Sequence, residues 1–593
     1  MKLMPPAKIL LPAMALLLPA GQTSADPRLS SWQTGGTSQY ARLYETAAAE
    51  TARTTSTTWS RGTGTQSSPT YGGISQVVYS TGWVYVRTTG LATHIMGPWY
   101  LNAAKTQNFP NFPSNTAKIY RIPRTPVIPA TKVLTGLGAT GVMVNGVSMF
   151  DSRDAFSYVS ASATDATPVN RLTGDGVWNR DGYHNEGVTF DPALAHQAGN
   201  NYHYHAHPIG LRYQLGDHVD YNPVTNRYTE KTTPVTQHSP IVAWAADGLP
   251  VYGPYGYSSA LDPTSSIRRM VSGFTLRDGT GGTTNLSATG RTTLPAWATR
   301  IQTIAFKNGP AVNATYLLGH YLEDFDYLGD RGLVLGTNFD LNEQNVRFSV
   351  TPEFPAGTWA YFTPLHADGT PQFPYTTGRQ YYGTPSGGNS TISETVTVQF
   401  NGGPNATPEL DPPAINSANG NVTLTWSAVE GGTYLMEASP DLTSWPDLTP
   451  SVVATGSTAT KVETAAALTA SRRFYRVSRT SLAAFDSNGF DYTAPGSSTG
   501  TNAVAPGGSA SAGTTVMITI TLPATPPNPP AEVIPLSITL AGTINGTAIS
   551  RPSATTAKAT FVIPTATAAG AKNVVVTFNP GPTYTLTNGF TVN

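Results

Sequence analysis

The stretch His196-Gln197-Ala198-Gly199-Asn200-Asn201-Tyr202-His203-Tyr204-His205 reads as two strands joined by a Gly-Asn turn. Glycine reaches the positive φ that a tight hairpin turn needs, which makes Gly-Asn a favoured two-residue loop. With Gly199 and Asn200 in the turn, Ala198 faces Asn201, Gln197 faces Tyr202 and His196 faces His203. Alternate residues of a strand share a face, so His203 and His205 point the same way. Facing Cβ atoms lie about 4.5–5.5 Å apart, which gathers His196, His203 and His205 on one side of a ribbon. Moving the turn to Asn200-Asn201 sets His196 opposite His205 and keeps the three rings together; a three-residue loop would scatter them.

Working outward, the same alternation recurs. Val77-Val78-Tyr79-Ser80-Thr81-Gly82-Trp83-Val84-Tyr85-Val86 is a second strand-turn-strand signal. Up to about residue 402 the chain keeps short apolar runs and Gly/Pro corners, with no sustained helical periodicity. Asn401-Gly402-Gly403-Pro404-Asn405 breaks that pattern. Beyond it, Asn421–Trp426, Thr433–Glu437 and Phe474–Val477 alternate as strands of a small sandwich, and Val516–Leu522 and Asn573–Phe578 do so in a last unit. The expectation is a mainly β protein: a leader at 1–25, a Ser/Thr/Ala-rich mobile leader or irregular cap at 26–74, and a large irregular β-rich domain at 75–402. A linker at 403–413 precedes a β-sandwich at 414–480, and a linker at 481–499 precedes a second β-sandwich at 500–593.

Composition bounds the function. Lys2 and Lys8, the apolar run Ile9–Ala20 and Thr23-Ser24-Ala25 have the pattern of a secretory signal, which predicts a secreted or cell-surface protein. No later apolar run approaches the roughly 20 residues of a membrane span, so none is expected. The chain has no cysteine, which excludes disulfides, thiolate metal sites and cysteine nucleophiles. Charged residues are 12% and the net charge is zero, so no basic stripe exists for nucleic acid. The 57 glycines and 48 prolines suit turns and short strands.

Seven of the ten histidines fall between His184 and His238. Neutral imidazole is the commonest protein metal ligand, and three rings on one ribbon can reach one ion at about 2.0–2.1 Å. His207 lies on the same face but about 13 Å from His203 at ~3.3 Å per residue, so it is placed at the rim. His184, His218 and His238 are candidates for a fourth position; His238 stands just before the apolar run Ile241–Trp244. His94, His320 and His366, each alone, read as structural. Imidazole suits zinc and copper alike, and affinity order favours copper.

These residues carry a resemblance. Tyr202-His203-Tyr204-His205, with Val144-Asn145-Gly146-Val147, His238-Ser239-Pro240, Ala246-Asp247-Gly248-Leu249-Pro250-Val251-Tyr252-Gly253-Pro254 and Thr351-Pro352-Glu353-Phe354, resembles the YHYH-domain family over roughly residues 75 to 402. The family is found in exported proteins and carries no settled activity. The resemblance implies a metal site at His196, His203, His205, His238 and Asp247, and it leaves His207 outside the motif. Asp247 is expected to accept the other N–H of a ligand histidine, with His184 and His207 close by. The later regions resemble a fibronectin type III-like domain (Trp426, Arg473–Val477) and an IPT/TIG-like sandwich.

Three other stretches carry motif-like signals. Gly136-Leu137-Gly138-Ala139-Thr140-Gly141 matches a dinucleotide string but runs into a strand rather than a helix. Gly496-Ser497-Ser498-Thr499-Gly500 lacks the strand-turn-helix of a nucleophile elbow. Asp324, Asp326 and Asp330 offer oxygens for calcium, although a solvated loop is the default reading. Two functions follow: a secreted metalloprotein binding copper or zinc, or a non-catalytic surface or adhesion protein that meets extracellular glycan or protein through its sandwiches.

Overall fold

Short alternating runs punctuated by glycine and proline give short strands, and the protein is mainly β, with 37% strand and 10% helix. The computed structural model describes residues 26–469 and 472–487 and, nearer the C-terminus, 498–500, 504–505, 509–522, 535–553, 555–578 and 583–593. The 1–25 leader and Gly496-Ser497 of the elbow-like string lie outside the described residues.

The site rests on an eight-stranded sheet. In chain order its strands are β1 (Ala139–Met143), β2 (Ser148–Phe150), β3 (His196–Ala198), β4 (Asn201–Tyr204), β5 (Ile241–Ala245), β6 (Pro250–Tyr252), β7 (Val346–Ser349) and β8 (Thr358–Phe362). Their spatial order is β3-β4-β2-β1-β5-β6-β8-β7. The glycine string at 136–141 leads into β1 and then a turn, so no helix N-terminus awaits a phosphate. Beside it, a five-stranded sheet runs in the order 388–389, 118–123, 83–88, 74–79, 397–401. The expected hairpin at 77–86 is there, with Val77 opposite Val86. One apolar core, including Val142, Val144, Trp244 and Tyr361, serves both sheets.

The sheet is built twice. Hairpin β1–β2 pairs Ala139 with Phe150, Gly141 with Met149 and Val142 with Ser148. Hairpin β5–β6 pairs Ile241 with Tyr252, Ala243 with Val251 and Trp244 with Pro250, with the same bulge, each residue 102 positions after its counterpart. Both turns put glycine at positive φ, 84° at Gly146 and 83° at Gly248. The preceding side chain caps each turn: Val147 N–H donates to Asn145 Oδ1 at 3.2 Å and Leu249 N–H to Asp247 Oδ1 at 3.1 Å. Strand β4 then lies parallel to β2, and β8 parallel to β6. Through these registers Tyr202-His203-Tyr204-His205 superposes on Trp359-Ala360-Tyr361-Phe362, and His196 on Arg347. The inward aromatics recur, while all three histidines are replaced.

Residues 26–74, expected as a leader or cap, pack into the main core through Trp32, Leu43 and Trp59. Few but large aromatics give this stretch its buried area, which its Ser/Thr/Ala content conceals. Farther on, two three-stranded sheets enclose Trp426, Tyr434 and Met436. A last pair of sheets encloses Ile520, Phe561 and Tyr584.

Candidate metal centre

The histidine hairpin has the first of the two registers expected: His196 faces His203, Gln197 faces Tyr202 and Ala198 faces Asn201. Gly199 takes φ 61° at the first turn position. The rings of His196, His203 and His205 are buried, and one nitrogen of each lies within 4.8 Å of the others. Strand alternation supplies this gathering, and the pairing of β4 with β2 holds it.

The outward nitrogens determine what the inward ones can do. His203 Nδ1 lies 2.9 Å from the Asn201 carbonyl and His205 Nδ1 2.6 Å from the Asp151 carbonyl. A carbonyl only accepts, so both Nδ1 atoms carry the proton and both Nε2 atoms present lone pairs. His196 Nδ1 lies 2.7 Å from Thr189 Oγ1, whose own proton goes to the Glu186 carbonyl at 2.6 Å. That relay leaves Thr189 accepting, and it holds His196 in the same tautomer. Held in this way, the three imidazoles aim their Nε2 atoms at one point, with those of His203 and His205 only 3.0 Å apart. Two facing lone pairs at that distance repel, and either a cation between them or a proton on His205 Nε2 relieves the repulsion.

Glu186 completes the set. It ends helix α1 (Gly182–Glu186), which Asp181 caps by accepting the His184 N–H at 2.8 Å. Tyr375 O–H in turn anchors Asp181 at 2.8 Å. Gly182 lets the helix approach: a Cβ there would stand 3.0 Å from His205 Nδ1. Glu186 Oε2 lies 3.1 Å from His205 Nε2 and 3.5 Å from His196 Nε2. Oε2 and His196 Nε2 are both buried and without a hydrogen-bond partner. Separations of 3.0, 3.1 and 3.5 Å bracket the roughly 3.3 Å edge of a tetrahedron of donors set 2.0–2.1 Å from a central ion. The donor set fits a borderline transition metal.

Burial lowers the His196 pKa to about 4 and drives that of His203 well below its ordinary value. Burial also opposes charge on His205, but its contact with Glu186 outweighs this and raises it. Burial likewise works against the Glu186 carboxylate, and His205 brings it below the usual range. Phe150 stacks on His203 with ring centroids 3.8 Å apart, and Phe190 meets His196 edge-on at 4.9 Å, so the centre is walled by apolar rings. Phe190 and Gly187 also line a cleft of about 550 Å³ together with Tyr183, His184, His366 and Gln372.

The other expected residues lie elsewhere. His238 donates through Nδ1 to the Ser239 carbonyl and packs against Tyr252, Tyr257 and Phe362, in the second half of the sheet. His207 is buried behind the bend after β4, with neither ring nitrogen bonded. His184 sits on α1 two residues from Glu186 and faces the cleft and His320. His218 bonds the Thr233 carbonyl. Asp247 orients no histidine: it is the counterpart of Asn145 in the second turn, and Oδ2 accepts Tyr361 O–H at 2.7 Å and Gly383 N–H at 2.8 Å. The three aspartates weighed for calcium diverge. Asp324 forms a buried two-bond pair with Arg291, Asp330 pairs with Arg300, and Asp326 faces Arg277. Among the described residues only the histidine triad gathers three metal-ligating side chains.

Sequence reading missed Glu186 and Thr189. The only usable signal is that Glu186 is the sole glutamate between Asp181 and His196. No curated protein matches the chain. Residues 119–377, which hold all eight strands of the central sheet and the histidine hairpin, match the family described as YHYH protein.

Proposed function

We propose that the YHYH domain binds one zinc- or copper-class ion through Nε2 of His196, His203 and His205, with Glu186 as the fourth donor. The tautomer pattern carries the reading: each Nδ1 proton is committed outward, so each Nε2 is free to coordinate. Outer hydrogen bonds of this kind orient ligand imidazoles and raise their basicity. The fold does not require the rings, because the equivalent strand pair carries Arg347, Ala360 and Phe362. That weighs against a purely structural cluster.

Four donors close the site. The Glu186 side chain is 26% exposed, whereas the His196 and His205 side chains beside it are 4–5% exposed, so the carboxylate is the one ligand on the solvent side. Its release would open a fourth position, the arrangement in which an ion binds and polarises small molecules. The signal-like pattern of residues 1–25 supports an exported protein. The C-terminal β units would then serve as spacers or contacts to surface glycan or protein.

The test is elemental analysis of protein taken from its export compartment, beside a His203→Ala/His205→Ala variant whose fold is checked by circular dichroism. About one zinc or copper per chain, absent from the folded variant, supports the reading. A wild-type protein without stoichiometric metal overturns it.

A further inference from the structure

Lys118 opens the strand Lys118–Pro123 of the five-stranded sheet, and its ammonium points across to the histidine hairpin. There Nζ donates to Asn201 Oδ1 at 2.7 Å and approaches Ser148 Oγ at 3.4 Å. Both partners are neutral. A largely buried lysine without a carboxylate holds its charge at a cost, and burial alone lowers its pKa to about 8. At pH 7.5 roughly a quarter of such a group is free amine, a competent nucleophile.

The electrophile is prepared on the other side. Asn201 Oδ1 accepts from Ser148 Oγ–H at 3.2 Å as well as from Lys118. Because Ser148 spends its proton there, the Tyr120 hydroxyl, 2.7 Å away, donates to Ser148 Oγ and strengthens it as a donor. Ser148, backed by Tyr120, polarises the carbonyl and is placed to stabilise negative charge developing on that oxygen when the Lys118 amine turns from it to the adjacent carbon. The Asn201 side chain is only half-buried, which leaves its nitrogen a way out to solvent.

We propose that Lys118 and Asn201 are joined by an intramolecular isopeptide bond. The Lys118 amine attacks Asn201 Cγ, a Cγ–Nζ bond forms, and the Cγ–Nδ2 bond breaks. Nδ2 departs as ammonia with a proton given up by Nζ, so an amine and an amide become a secondary amide and ammonia, with no oxidant or cofactor. The product removes the buried charge altogether. It also ties the five-stranded sheet to β4 at the residue whose carbonyl holds His203 Nδ1, a covalent brace in a chain without disulfides.

Mass spectrometry of the denatured, intact protein decides. The mature chain is expected to weigh one ammonia, about 17 Da, less than its sequence requires, and its digest to contain a branched peptide linking Lys118 to Asn201. Lys118→Arg restores the full mass. A succinimide at an Asn-Gly pair gives the same loss without the branched peptide, and that result overturns the proposal. Quantitative recovery of linear peptides bearing unmodified Lys118 and Asn201 overturns it equally.

Discussion

Replacing His203 with alanine separates the two things this ring does. It removes one of three converging Nε2 donors, and it removes the ring stacked on Phe150 at 3.8 Å. The backbone tolerates alanine, since Ala360 occupies the equivalent place in β8, fully buried. The metal-free cost is therefore that of a cavity, about 2–4 kcal/mol by analogy with other buried large-to-small changes. The linked effect is of similar size. At free metal 100 times Kd, a ligand bound only by the folded state stabilises it by about 2.7 kcal/mol. For a unit of this size each kcal/mol moves Tm by roughly 2–4 °C, so wild-type protein should gain about 5–10 °C on saturation with zinc or copper. Differential scanning calorimetry of chelator-treated protein, with and without added metal, reads both quantities. His203→Ala should start lower and respond to neither ion. If the variant binds one equivalent and shows the wild-type rise, the three-histidine centre is refuted.

Four further outcomes follow from named contacts. Thr189→Val keeps the shape but removes the acceptor that holds His196 Nδ1–H, and it should weaken metal binding by about 10–100-fold in a competition titration while Tm of the metal-free protein changes little. Gly248→Ala forces a Cβ to 2.7 Å from Pro123 at a φ of 83°, for a loss of about 2–4 kcal/mol in urea denaturation; Gly199→Ala, at φ 61° with only an ordinary contact to Thr63 Oγ1 at 3.7 Å, should cost about 1–2 kcal/mol. Arg291→Met strands the buried Asp324 carboxylate and should destabilise by about 3–5 kcal/mol, whereas added calcium should stabilise neither protein. His94 is buried, donates through Nδ1 to the Ile95 carbonyl and accepts Tyr204 O–H at Nε2. Burial lowers its pKa from 6.5 to about 4. The unfolded chain then binds the proton the native state refuses, so about 3 kcal/mol of stability present above pH 6.5 is lost as pH falls to about 4. His94→Gln should flatten that part of the Tm–pH curve; an unchanged slope would sink the assignment.

Legibility differed between the two halves of the site. His196, His203 and His205 were readable because strand alternation and a two-residue turn are local: ten residues of chain settle which side chains share a face. The failures were all relations between segments. Asp247 stands nine residues after His238 in the chain, yet its turn is the counterpart of the one at Asn145, and its Oδ2 is spent on Tyr361 and Gly383. His238 precedes a core strand as expected, but that strand belongs to the other half of the sheet.

The sequence by itself determined the β character, the hairpin at 196–205 and the face its histidines occupy, because residue type and period two act over a few positions. Tertiary structure alone decided the rest. Glu186 reaches the centre from a five-residue helix because Asp181, Tyr375 and the missing Cβ of Gly182 let that helix settle against His205. The Asp151 and Asn201 carbonyls and Thr189 commit each imidazole to one tautomer, and no spacing rule encodes where a carbonyl points. The duplication likewise emerged only from pairing registers, since packing preserved Tyr202 and Tyr204 as Trp359 and Tyr361 on the core side. On the opposite face, buried as well, histidine stands in one half and alanine and phenylalanine in the other.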